Sequence, residues 1–353
     1  QEKEIRTTYN VVNLLDVIIP LKVKTIKSKE IKESGRHPVI DQSQKFISGY
    51  SDKAEFLNEV TSPLILFGDH TRVFKYLEYS FIGGGDGIRL FKTNEKVDSK
   101  FLYYLLSYYE IESLGYSRHF KLLKKLKIPL PSLEIQKEII EELEQYQKLI
   151  DRAKQVVDNY KPHIDINESW GECKLDDVLE NLSINIDPSR LSSEEINYIG
   201  LEHIVKNKGV IEGEITSKSK SVKSTKKKFQ VGDILYGKLR PNLNKVYYST
   251  IEGICSTDIL VLRPKDGFLG EIYSSILLSE KVNNEIMKGI SGSQLPRTNF
   301  NHLREIQVPK IPIQDQNQIL EKLKEEREIV EGNKKLIEIY TQKIEDRITN
   351  IWG

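Results

Sequence analysis

The chain has 353 residues, of which 30% are charged and 38% hydrophobic, and its formal net charge at pH 7 is +1. A chain of that length calls for two domains, and so many charged residues call for long solvated helices rather than one large globule. No run of about 18 apolar residues occurs, so no segment reads as membrane-spanning. Balanced charge makes no case for a nucleic-acid partner until the charges are located along the chain. Cys173 and Cys255 are the only cysteines. Two are too few for a disulfide framework or a zinc site, and they point to a reducing, cytoplasmic setting. The chain starts at Gln1 and holds one methionine, Met287, which reads as a piece excised from a longer polypeptide.

From Tyr9 to Lys127 the pattern is mixed. Pro38–Ile40, Pro63–Phe67 and Gly87–Phe91 are short apolar runs bounded by turn formers and predict strands, whereas Phe101–Leu106 predicts a helix. Gly83-Gly84-Gly85-Asp86-Gly87 reads as a turn: it lacks the Gly-Lys-Ser/Thr of a phosphate-binding loop. A long helix is then predicted from Leu133 to Tyr160. Ile139, Leu143, Tyr146, Ile150, Ala153, Val157 and Tyr160 step along it by four and three, a seam for another helix. Pro129 and Pro131 precede this helix and Pro162 stops it.

Trp170 to Val308 repeats the plan, with strands over Asp233–Tyr236 and Asp258–Leu262 and a helix over Leu269–Met287. A second long helix follows from Ile313 to Ile348, with Ile319, Leu323, Val330, Ile337, Tyr340 and Ile344 in the same register. Glu326 and Asn333 interrupt its seam where the first helix has Tyr146 and Ala153, which suits polar residues that fix a register.

The two halves match at a constant offset of 180 residues: Phe120 with Phe300, Leu123 with Leu303, Pro129 with Pro309, Gln136 with Gln316, Ile139 with Ile319, Leu143 with Leu323 and Tyr160 with Tyr340. Trp170-Gly171 recurs as Trp352-Gly353, and Leu14-Leu15-Asp16-Val17 resembles Leu175-Asp176-Asp177-Val178. The chain is one unit written twice. The fold class expected is α+β, two similar globular domains each followed by a long α-helix. The two helices either pair with each other, antiparallel within one chain, or dimerise two chains; matching seams in a single chain favour the first. A helix of roughly 30 residues is about 45 Å long, which suits two contacts with one duplex about one DNA turn apart.

Basic residues gather in the globular parts. Lys218, Lys220, Lys223, Lys226, Lys227 and Lys228, interleaved with Ser and Thr, read either as a phosphate-contacting loop or as a solvated hairpin tip. The stretch Gly237 to Lys245 sets Lys238, Arg240, Asn242, Asn244 and Lys245 directly after a strand. Arg and Lys suit guanine, and Asn suits adenine. Asp69-His70-Thr71-Arg72 and then Lys75 occupy the corresponding place in the first half. The candidate DNA-binding set is His70, Arg72, Lys75, Lys226, Lys227, Lys228, Lys238, Arg240, Asn242, Asn244, Lys245 and Arg297. No catalytic, metal or cofactor residue is expected. The Asn-Pro-Pro-Tyr-like tetrapeptide and Gly-rich loop of an adenine methyltransferase are missing, the histidines lack zinc-like spacing, and no Ser, Cys or Thr sits in a nucleophile context. Asp69 and Asp233 stand beside glycines at similar places in the two halves and read as turn residues.

Ile128-Pro-Leu-Pro-Ser-Leu-Glu-Ile-Gln-Lys-Glu-Ile-Ile140, Phe67-Gly-Asp-His-Thr-Arg72, Gly232-Asp-Ile-Leu-Tyr-Gly-Lys-Leu-Arg-Pro241, Gly35-Arg-His-Pro-Val-Ile40 and Gly49-Tyr-Ser-Asp52 together resemble the specificity subunits of type I restriction–modification systems. The Pro-Lys-Ile-Pro-Ile-Gln opening of the second helix and its polar seam residues depart from that pattern. The resemblance implies a target-recognition domain over 1–128, a conserved helical spacer over 129–165, a second recognition domain over 166–308 and a second spacer over 309–353. Each domain would read half of a bipartite target in double-stranded DNA, with the paired helices as a ruler. Two adenine methyltransferase subunits would dock, and two motor-nuclease subunits would join them in a restricting complex. The alternative is the recognition portion of a single-chain methyltransferase or restriction fusion enzyme.

Overall fold

The computed structural model describes residues 7–115, 117–188, 195–218, 224–288, 290 and 296–353. These divide into two units, one of residues 7–154 with 334–353 and the other of 155–333.

The first unit holds two larger sheets beside a two-stranded one. One is antiparallel, in the order Ile18–Leu21, Ile88–Thr93, Leu64–Gly68 and Phe74–Leu77. The other sets Phe81–Gly84 between Thr25–Ile26 and His37–Ile40, with Gly49–Ser51 beyond, and Leu57–Asn58 also pairs with Phe81–Gly84. Leu64–Gly68 and Phe81–Gly84 are buried along their whole length, as continuous apolar runs require. The glycine-rich run thus begins as a strand, and only Gly85 and Gly87, both with positive φ, form the turn. Helix Ser99–Ser107 starts at Asp98, whose carboxylate accepts the Lys100 and Phe101 amides. It buries Phe101, Leu102, Leu105 and Leu106 in the main core with Phe67, Phe74 and Phe91.

The second unit repeats the first sheet with Leu179–Leu182, Ile259–Pro264, Ile234–Gly237 and Val246–Tyr248. Its other sheet runs Asn185–Ile186, Lys226–Phe229, Gly253–Cys255, Glu195–Ile199 and Thr216–Lys218. The helix expected over Leu269–Met287 is two helices, Gly270–Leu278 and Glu280–Lys288. Ser279 breaks it with extended backbone (φ −62°, ψ 145°), and its hydroxyl accepts the Val282 amide, a use of serine that competes with helix continuation.

The repeat is physical as well as textual. Asn10–Asn13 pairs antiparallel with Lys127–Leu130, and Glu172–Lys174 pairs with Gln307–Pro309. The Leu14 amide donates to Leu126 O at 2.8 Å and the Leu175 amide to Ile306 O at 2.9 Å, so the two resembling tetrapeptides occupy one structural position. Gln136 and Gln316 are both fully buried. Gln136 donates from Nε2 to Pro131 O (2.9 Å) and Lys96 O (3.3 Å), and its Oε1 accepts the Asp98 amide at 2.8 Å. Gln316 donates to Ile311 O (2.8 Å) and Gly267 O (3.0 Å) and accepts the Leu269 amide at 2.7 Å. Each glutamine joins the entry of its long helix to the loop that starts the packed helix of its unit.

The long helices span Leu133–Asn159 and Ile313–Trp352, the second four residues longer than its periodicity predicts. In the first unit Ile139, Leu143 and Ile150 share a core with Ile344, Ile348 and Ile351. There the Tyr146 and Tyr340 rings lie 5.3 Å apart, Lys343 stands 4.7 Å over Tyr340, and Arg347 Nε donates to Glu142 at 2.8 Å. In the second unit burial and the Glu326 carboxylate push the Tyr160 phenol up to about 12. The Asn333 amide turns back to Ile329 O of its own helix at 2.8 Å.

Replacing Gln136 or Gln316 with Met keeps the volume but strands two carbonyls and one amide in the core, for a loss of about 1–3 kcal/mol. Urea unfolding of each variant checks this against the exposed control Gln155→Met, for which a change within about 0.5 kcal/mol is expected.

Candidate nucleic-acid interface

In the first unit the central strand Leu64–Gly68 ends in a tight turn, closed by Gly68 N–H to Val73 O and Arg72 N–H to Gly68 O, both 2.8 Å. The turn forces Arg72 into left-handed backbone, φ 65°. That conformation costs a non-glycine residue roughly 1–2 kcal/mol and persists only where surrounding bonds impose it. Arg72 is exposed, and its Nη1 donates to Ile111 O at 2.9 Å. Gln42 fastens a neighbouring loop to the turn: its Oε1 accepts the His70 amide, its Nε2 donates to Asp86 O, and its carbonyl accepts the Thr71 hydroxyl. His70 is half-buried there.

Lys75 departs from expectation. It is 2% exposed, and its ammonium donates to the carbonyls of Asp41 (2.8 Å), Lys45 (2.6 Å) and Phe46 (3.3 Å). Burial lowers its pKa. Its charge organises the loop over residues 41–46 and is not offered to a ligand, since every proton it can donate has a carbonyl partner. Asp69 is fully buried, with Arg89 Nε at 3.2 Å and the Phe120 amide at 2.7 Å from its carboxylate. His119, also buried, joins its Nδ1 to Asp69 O at 2.9 Å, while its Nε2 accepts the Leu114 amide at 3.0 Å.

In the second unit the equivalent strand Ile234–Gly237 leads into residues 238–245, closed by Gly237 N–H to Lys245 O at 2.8 Å. Arg240 again takes left-handed backbone, φ 51°, tied by its amide to Pro296 O at 2.8 Å, and its side chain is exposed. Asn242 is exposed, Lys238 is half-buried, and Arg297 is exposed with Asp258 at 3.5 Å. Three expected contact residues face inward. Asn244, φ 43° and 2% exposed, donates to Leu278 O; Lys227, 8% exposed, donates to Ile259 O; Lys226, 7% exposed, donates to Ser224 O. Lys226–Phe229 is a sheet strand rather than a loop, the adjacent Lys226 and Lys227 are both buried, and only Lys228 of these three is exposed. The half-buried Lys245 donates to Leu201 O at 2.5 Å. Lys220, Lys223 and the Lys218 side chain lie outside the described residues.

Asp69 and Asp233 are not counterparts. Asp69 follows its strand, where Lys238 stands in the second unit, whereas Asp233 precedes its strand and holds Arg263 through two bonds of 2.7 and 2.9 Å. Among the described residues no group of three or more His, Cys, Asp or Glu is placed to hold a metal ion, and no helix is long and apolar enough to cross a membrane. Gln42 carries no sequence signal for its part, because its partners lie 28 and 44 residues away.

Residues 7–158 and 167–339 each match the family described as type I restriction modification DNA specificity domain. A curated relative, the type I restriction enzyme EcoDI specificity subunit of Escherichia coli, is 29% identical over 164 residues, covering 45% of this chain and 35% of the relative's length. Among solved structures, a type I restriction–modification S subunit from M. genitalium aligns with a TM-score of 0.51 at 17% identity, over 100% of this chain and 98% of that one. A chain from a structure of complex assembly and conformational transition in the type I R-M system aligns with a TM-score of 0.53 at 14% identity, over 98% and 97%.

The contrast between inward and outward cations is measurable. Lys75→Met should lower stability by about 1–3 kcal/mol, because three loop carbonyls lose their donor. Arg240→Ala should change it by less than about 0.5 kcal/mol. Urea unfolding of the two variants side by side gives the comparison.

Proposed function

This chain belongs to the type I restriction–modification DNA specificity family, and we propose that it reads a bipartite DNA target through its two halves and is not itself catalytic. The observation that carries the reading is the duplicated tip. Each half ends its central strand in a turn whose exposed arginine, Arg72 or Arg240, is held in left-handed backbone by the surrounding hydrogen bonds. Arginine is the side chain best suited to the O6 and N7 acceptors of guanine in the major groove, and backbone imposed in this way sets the direction of its stem before DNA arrives. His70, Lys228, Lys238, Asn242 and Arg297 supply further contacts beside the tips. The recognition domains extend over 1–128 and 166–308, with helical spacers over 129–165 and 309–353.

The spacers pair as an antiparallel coiled coil. Glu142 bonds to Arg347 while Tyr146 meets Tyr340, so position falls along one helix as it rises along the other. Such a pair holds the two domains at a set separation on one duplex. Adenine methyltransferase subunits dock on the chain and act in the cytoplasm at the sites it selects, and restriction subunits join them in a cleaving complex.

Selection of bound sequences from a random duplex pool tests the reading. The wild-type chain is expected to return two short halves around a fixed gap. Arg72→Ala should relax a base in one half only and Arg240→Ala a base in the other only, each at about 1–3 kcal/mol. A uniform loss over all sequences would make the arginine a phosphate contact, and both halves blurring together would sink the two-domain reading.

A further inference from the structure

Between Ser113 and Ser132 the chain has four lysines, one arginine and no Asp or Glu. Arg118, Lys121, Lys124, Lys125 and Lys127 are all exposed, while His119, Leu123, Leu126 and Ile128 interleaved with them are buried. The short helix Phe120–Leu123 continues as a turn, with Lys124 N–H to Phe120 O, Lys125 N–H to Leu122 O and Leu126 N–H to Leu123 O. Lys121, Lys124 and Lys125 therefore share one face, and Lys127 extends it onto the strand paired with Asn10–Asn13. Among the described residues none of the five makes an ion pair. Lys124 instead lies 5.8 Å from the Phe120 ring, whose other neighbour, Arg89 at 5.5 Å, is itself held by Asp69.

The matching segment of the second unit is neutralised. Thr298, Asn301, Arg304, Glu305 and Gln307 stand at the five positions. Arg304 is paired with Asp176, and Glu305 with Lys174 at 2.6 Å. Leu15 occupies the place of Asp176 in the first unit, so a cation there lacks the acid its counterpart has. A row of unpaired cations repels itself and fits a ligand that carries a row of anions. The segment is also fastened to the reading turn, because the His119 and Phe120 amides both donate to Asp69, the residue after the central strand.

We propose that Arg118, Lys121, Lys124, Lys125 and Lys127 form a phosphate-binding surface that grips the DNA backbone beside the target, independently of sequence and in the first half only. The inference rests on the DNA-reading function. Duplex DNA presents one charge per roughly 1.7 Å of axis, and each phosphate neutralised adds about 0.9 to the slope of log affinity against log salt. The test measures that slope for the full-length chain on a random-sequence duplex. K121Q/K124Q/K125Q/K127Q should lower it by about 2–4 while leaving the selected sequence motif and the melting temperature unchanged, and the four Lys→Arg substitutions should keep it. An unchanged slope in the Gln variant, with wild type binding normally, overturns this inference alone. So does a motif that changes with the slope, or loss of a methyltransferase partner in place of DNA affinity. A wild-type chain without salt-dependent DNA binding overturns the DNA reading itself.

Discussion

One buried glutamine per unit ties together stretches of backbone that the rest of the unit depends on. Gln136 and Gln316 each use both amide protons and the amide oxygen, binding the start of a long helix to the loop before the packed helix. A glutamine this deep in an apolar core is tolerated only because it is satisfied so fully. Its reward is geometric: the direction in which the long helix leaves the globular part is fixed by three hydrogen bonds rather than by apolar contact, which tolerates sliding. The core around it is continuous with the helix, since Ile139 and Leu143 lie one and two turns further along the same buried face.

The same economy governs charge. Lys75 and Lys227 are spent on carbonyls inside their units, and Asp69 and Asp233 on arginines at the ends of sheet strands. These internal charges are part of the reason a net charge of +1 says so little about partners. The surface that remains for a polyanion is set by which cations lack an internal or acidic partner. On that measure the two units differ although their folds repeat.

The long helices, the repeat and the central strands were legible because each is a local or periodic signal: heptad steps, prolines at helix boundaries, apolar runs between turn formers. The break at Ser279 was not, because a serine inside an apolar helical pattern caps or continues the helix according to backbone geometry that the pattern does not specify. The candidate contacts divided in the same way. Arg72 and Arg240 could be found because they follow strands in matching places. Lys75, Lys226, Lys227 and Asn244 could not be recognised as buried, since their carbonyl partners come from segments distant in sequence or from the backbone of a turn. The basic run from Arg118 to Lys127 drew no expectation from the sequence, because its meaning depends on the Asp176–Arg304 pair that its counterpart makes across 128 residues.

The central claim is that one folding unit, written twice, gives the chain two independent readers of DNA. The most direct measurement is a map of methylated adenines on genomic DNA, by single-molecule sequencing, after this chain is expressed with the adenine methyltransferase subunit proposed as its partner. The account predicts methylation only at a motif of two short defined halves separated by a constant gap. Methylation at a single undivided site, or none above background from a folded complex, would contradict it.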